Sequence, residues 1–112
     1  MTTAEQRSLC AKFRADFVEV RDTDIAGVAR NVSVTSSPIH GLRHLPTSGA
    51  SGWYIWAGEY SDADDFFQPI HVAHLESTCP QILNFLALAP GWRFLIAGDQ
   101  VDVWYDPNLL KA

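Results

Sequence analysis

Basic residues are scarce past the midpoint of this 112-residue chain: from residue 53 on, only Arg93 and Lys111 stand against Glu59, Asp62, Asp64, Asp65, Glu76, Asp99, Asp102 and Asp106, a local net charge of −6. Residues 1–52 hold six bases and five acids, so the acidity belongs to the second half. Nucleic-acid binding draws most of its affinity from Lys and Arg neutralising phosphates, and a half with no basic stripe argues against it. Apolar runs are short as well. Phe85 to Pro90 falls far below the roughly 20 residues of a membrane span, and Glu5, Arg7, Lys12, Arg14, Asp16 and Glu19 break up the first 20 residues where a secretory signal would need a continuous apolar segment. A cytoplasmic chain with no membrane partner is expected. Cysteine is limited to Cys10 and Cys79; with no signal and an adequate core, two reduced thiols are expected rather than a disulfide.

Apolar and aromatic residues are plentiful. The apolar fraction is 47%, and four Trp, three Tyr and six Phe supply much of a core. This length suits one domain spanning residues 1–112, large enough to fold without metal or disulfide staples. Thr3-Ala4-Glu5-Gln6 fits a capping box, and Leu9, Cys10, Phe13 and Phe17 recur at helical spacing, which predicts a helix over 4–17. Residues 18–27 are open between short strand and loop. Alternation from Val28 to Thr35 predicts a strand. Pro38, Gly41, Pro46, Gly49 and Gly52 mark 36–52 as one long loop. Trp53–Ala57, apolar on both parities, reads as a central strand covered on both faces, and Glu59 to Asp65 as an acidic loop. Ile70–Cys79 and Pro80–Leu88 read as two short helices, with Pro80 at a first helical position. Gly98-Asp99 between Trp92–Ala97 and Gln100–Tyr105 predicts a tight β-hairpin. Its register sets Trp92 opposite Tyr105, Phe94 opposite Val103 and Ile96 opposite Val101 on a core face. Arg93 then lies opposite Trp104, and Leu95 opposite Asp102, on the other face. The expected fold is α+β: a mainly antiparallel sheet, an N-terminal helix, two short central helices and a C-terminal hairpin.

Catalytic and metal motifs are missing. His71 and His74 share a helical face near Glu76 and Cys79, but neither HExxH nor paired CxxC supplies a further ligand. Asp62-Ala63-Asp64 fails as a calcium loop, with Phe67 at the glycine position and Ala73 at the terminal glutamate position. Cys79 precedes a helix start, where a thiolate can be stabilised, yet it falls in an apolar stripe with Val72 and Leu75 and reads as structural. No GxSxG elbow or glycine-rich phosphate cradle occurs. No enzyme, no cofactor and no metal are expected. What remains is acid interleaved with aromatic rings, the composition of a protein interface. The candidate binding residues are Trp56, Glu59, Tyr60, Asp62, Asp64, Asp65, Asp99, Asp102, Trp104 and Asp106.

Three stretches read together, Ser51-Gly52-Trp53-Tyr54-Ile55-Trp56-Ala57-Gly58-Glu59, Gly91-Trp92-Arg93-Phe94 and Val103-Trp104-Tyr105-Asp106-Pro107, resemble the immunity protein 33 domain family of bacterial polymorphic toxin systems. The similarity runs from about Gly27 to residue 110, with the first helix outside its clearest part. The resemblance implies an α+β fold, a cytoplasmic location and a non-enzymatic role, binding a cognate toxin domain to spare the producing cell. It brings no contact residues, so the acidic, aromatic-bearing face rests on the composition alone, which suits a basic toxin. Two other classes compete: a small-ligand or regulatory domain whose Pro38–Gly52 loop closes over an aromatic pocket, and a metal-dependent hydrolase using His71 and His74.

Overall fold

The expected first helix forms over Thr3–Phe13 (α1) in a computed structural model that describes residues 3–111. It ends four residues early. Arg14 takes a left-handed φ of 58°, and the amides of Arg14 and Ala15 donate to the carbonyls of Ala11 and Cys10 at 3.2 and 2.9 Å. This pair of bonds closes a Schellman motif, which glycine usually completes. Phe17 then belongs to an extended strap bridged to Leu88, with the Arg7 guanidinium 4.1 Å from its ring centre.

The first strand is Ile25–Ala29 (β1), so it takes in residues 25–27 and stops where the alternating pattern suggested it should continue. Asn31, Ser33 and Ser36 explain the stop. The Asn31 side chain bonds the Ala57 carbonyl and amide at 2.6 and 3.2 Å, and the Ser36 hydroxyl donates to the Asn31 carbonyl at 2.7 Å. These local bonds replace a strand ladder. The largest correction follows: residues 36–52 are not one loop. They contain a five-residue strand, Ile39–Arg43 (β2), and the start of an eight-residue strand, Ala50–Ala57 (β3). Because β2 lies inside the sheet, the segment cannot act as a lid.

After the acidic loop comes Phe67–His71 (β4), so residues 70 and 71 are strand rather than helix. Val72–His74 forms a 3₁₀ turn that runs into Leu75–Thr78 (α2), and Pro80–Phe85 is 3₁₀. The expected apolar positions Val72, Leu75, Cys79, Ile82 and Phe85 are buried there. Trp92–Ala97 (β5) and Gln100–Tyr105 (β6) form the hairpin in the expected register, Trp92 opposite Tyr105 through Ala97 opposite Gln100. The sheet order is β4-β1-β3-β2-β5-β6. Only β1 and β3 run parallel, so the α+β class with a mainly antiparallel sheet holds.

The inner face of the sheet packs under α1 and the central helical turns. Ala26, Val28, Ile39, Trp53, Ile55 and Phe94 are buried there with Leu75, Ile82, Leu86 and Leu88. The Trp53 indole N–H donates to the Leu86 carbonyl at 2.9 Å, so its polar atom is satisfied while the ring is covered. Gly41 is fixed by packing, since a Cβ there would overlap the Phe94 ring. Gly41→Ala is therefore expected to cost about 1–3 kcal/mol through overpacking; a urea midpoint within error of the parent would show that Phe94 moves aside freely.

Candidate functional site

Among the described residues, α1 and the central helical turns leave the outer face of the sheet open, and it is met only at its His44 and Arg93 end, by a 3₁₀ turn over Pro107–Leu110 whose Leu109 carbonyl lies 3.1 Å from His44 Nδ1. Cross-strand pairing places two rows of side chains on this face. One row runs Trp56, His40, Leu95, Asp102; the other runs Pro69, Gly27, Tyr54, Leu42, Arg93, Trp104. Aromatic rings concentrate on the β4 side. His40 stacks on Trp56 with centroids 5.0 Å apart and planes 11° apart, and Tyr60 meets Trp56 edge-on at 5.4 Å. Phe67 stands at 5.1 Å from Tyr54 and 4.9 Å from Phe66. Trp56 is consequently only 5% exposed, whereas Tyr54, Tyr60 and Trp104 are 38, 60 and 39% exposed. The cover expected over both faces of β3 is thus made on this side by aromatic side chains.

The candidate residues fall into three groups. Glu59, Asp62, Asp64 and Asp65 are exposed on the loop between β3 and β4, the loop that also carries Tyr60 onto the aromatic cluster. Asp99, in the β5–β6 turn, shares that end of the sheet because Ala97 lies beyond Ile96, which pairs with Ile39 and through it with Ala57. Asp102 and Trp104 project from β6, three strands from Trp56 and so roughly 14 Å away at the usual strand spacing. Asp106 differs from the rest. Its carboxylate is 3.3 Å from the Arg93 guanidinium and accepts from the Asn108 amide at 3.1 Å, which gives it a structural job. The expected cation over an indole is present, with Arg93 5.3 Å from the Trp104 ring centre.

His40, Leu42, His44, Tyr54 and Phe67 escaped the sequence reading, though all stand on this face. Alternation of His40, Leu42 and His44 against Ile39, Gly41 and Arg43 was the available signal, masked by the flanking turn formers. Burial, and secondarily the Arg93 charge, lower the pKa of His40 from 6.5, against a smaller opposing effect of a backbone hydrogen bond at Gly58. The unfolded chain then takes up this proton before the native one does, so acidification below about pH 6.5 should lower stability. His40→Phe is expected to flatten that slope between pH 7.5 and 5 in urea titrations; an unchanged slope would clear His40.

The other sites offer little chemistry. His71 and His74 are exposed with ring centres 5.8 Å apart, and no group of three or more potential metal ligands occurs among the described residues. Cys10 and Cys79 are buried and unpaired. Burial pushes the Cys79 thiol up to about 11, the reverse of what a nucleophilic cysteine needs. Among the described residues no helix is long and apolar enough to cross a membrane.

Neither the curated proteins nor the solved structures include a significant match to the chain. A family model described as the Imm33-like domain matches residues 5–106, most of α1 included, and the chain therefore belongs to the Imm33-like domain family.

Proposed function

We propose that the chain is a non-enzymatic, cytoplasmic immunity protein of a bacterial polymorphic toxin system. One domain spanning the chain binds a cognate toxin domain and blocks its working surface. Membership of the Imm33-like domain family supports this class of function. The observation that carries the choice of surface is the outer sheet face: α1 and the central helical turns leave it open, it bears exposed Tyr54, Tyr60 and Trp104, and it carries or adjoins Glu59, Asp62, Asp64, Asp65 and Asp102. Aromatic residues at such a face supply contact area at low entropic cost, and carboxylates around it steer a basic partner such as a nuclease. Trp104 takes the role of exposed anchor, and Trp56 supports the surface from beneath.

The test is growth. Cells expressing the C-terminal domain encoded by the adjacent upstream gene should stop growing, and co-expression of this chain should restore growth. Toxicity untouched by co-expression would exclude that domain as the cognate partner and shift weight to a small-ligand role, which predicts ligand-induced stabilisation without a protein partner.

A further inference from the structure

A pocket of about 290 Å³ opens on the outer face, lined by Leu42, His44, Tyr54, Trp56, Tyr60 and Phe67. Four pairs of its rings stand close to perpendicular, Tyr54 to Phe67 at 74°, Trp56 to Tyr60 at 75°, Trp56 to Phe67 at 77° and His44 to Tyr54 at 83°, and Tyr60 is tilted at 53° to Phe67. Tyr54 and Tyr60 are the exposed walls of this volume, and Trp56, 5% exposed and stacked on His40, lies beneath. That volume lies just under the usual range for small-molecule sites, roughly 300–1,000 Å³, and suits a single side chain. The flank toward the β3–β4 loop is acidic, while on the opposite flank Arg93, across from Leu42, is paired with Asp106 at 3.3 Å. Tyr60 and Phe67 belong to the segment that carries Asp62, Asp64 and Asp65, all exposed, while Arg30, one residue past the Ala29 partner of Phe67, is the exposed base at that end.

We propose that this pocket receives an arginine side chain projecting from the toxin. The choice of partner rests on the immunity reading; the choice of side chain rests on the pocket. A guanidinium is flat, weakly hydrated and attracted to ring faces within about 6 Å, and its edge can form paired hydrogen bonds with a carboxylate of the flanking loop. An anionic group would meet the acidic flank with repulsion. A purely apolar side chain would fill the volume and leave the carboxylates without a role. Tyr60, the most exposed of the pocket's tyrosines, closes the open side as the guanidinium enters.

The test needs no toxin, so the pocket and the immunity reading can fail separately. The ¹⁵N-labelled chain is titrated with N-acetyl-arginine amide and, in parallel, with the uncharged analogue N-acetyl-citrulline amide, following backbone amides and the Trp56 indole by NMR. The arginine derivative should give saturable shifts at Leu42, Tyr54, Trp56, Tyr60 and Phe67, and citrulline amide shifts at least fivefold smaller. Tyr60→Ala, a change at an exposed loop position, should reduce the arginine response at least threefold; its own effect on the unliganded spectrum should stay with the ring's neighbours Trp56, Phe66 and Phe67, and amides of α1 and β6 should keep their shifts. Equal responses to both compounds would overturn the proposal, as would arginine shifts restricted to Asp62–Asp65 and indifferent to Tyr60→Ala.

Discussion

Arg43→Met is expected to remove about 3–5 kcal/mol of stability through the buried carbonyls it leaves unpaired, a large share of the roughly 5–15 kcal/mol that holds a domain folded. Arg43 is 2% exposed. Its Nε donates to the Ser51 carbonyl at 2.9 Å, and Nη1 donates to the carbonyls of Val18 and Leu88 at 2.7 and 2.8 Å. One side chain thereby ties β2 to the strap that follows α1 and to the segment that follows the central 3₁₀ turn. Burial lowers its pKa to about 10, partly offset by the favourable charge of Asp24, so it remains protonated at neutral pH. Methionine fills much of the space but leaves three carbonyls without their donor, at about 1–3 kcal/mol for each that stays buried and unpaired. Lysine should recover part of the loss, since an ammonium carries the charge without the guanidinium's fixed fork. Urea unfolding followed by tryptophan fluorescence reads both variants. A loss under 1 kcal/mol for Arg43→Met would mean that water reaches those carbonyls.

Reversing Asp62, Asp64 and Asp65 to lysine is expected to slow association with the cognate toxin domain roughly 10- to 100-fold at low salt and to abolish most of its salt dependence. All three side chains are exposed on the β3–β4 loop, so the fold should tolerate the change within about 0.5 kcal/mol. The effect belongs to the on-rate, because rim charges act on encounter and are screened beyond about 10 Å at 0.1 M salt. Stopped-flow mixing across salt concentrations separates it from dissociation. Unchanged kinetics would take the acidic loop out of the binding model.

The hairpin was readable to the residue because Gly98-Asp99 leaves two positions for the turn, and that count sets the whole register. The end of α1 was not, since Arg14 occupies the left-handed position where glycine would have marked the stop. β2 was hidden for a tertiary reason. Gly41 reads as a turn former, yet it sits in a strand because the Phe94 ring occupies the space above it. The carboxylates of the candidate face are visible in composition, whereas the aromatic pocket is not. Its walls come from β2, β3, β4 and the acidic loop, brought together by a crossover that sets β1 between β4 and β3, and no local spacing encodes that order. The resemblance drawn from three short stretches reached from about residue 27, and the family match extends it back to residue 5, over a helix whose pattern alone carried no family signal.

Amide hydrogen exchange on the chain with and without its toxin domain would locate the bound surface. Occlusion by the outer sheet face requires added protection across residues 54–67, 93–95 and 102–104, with α1 and the 80–85 turn unchanged. Protection confined to α1 and that turn would place the toxin on the opposite side of the molecule and contradict the assignment of the acidic aromatic face.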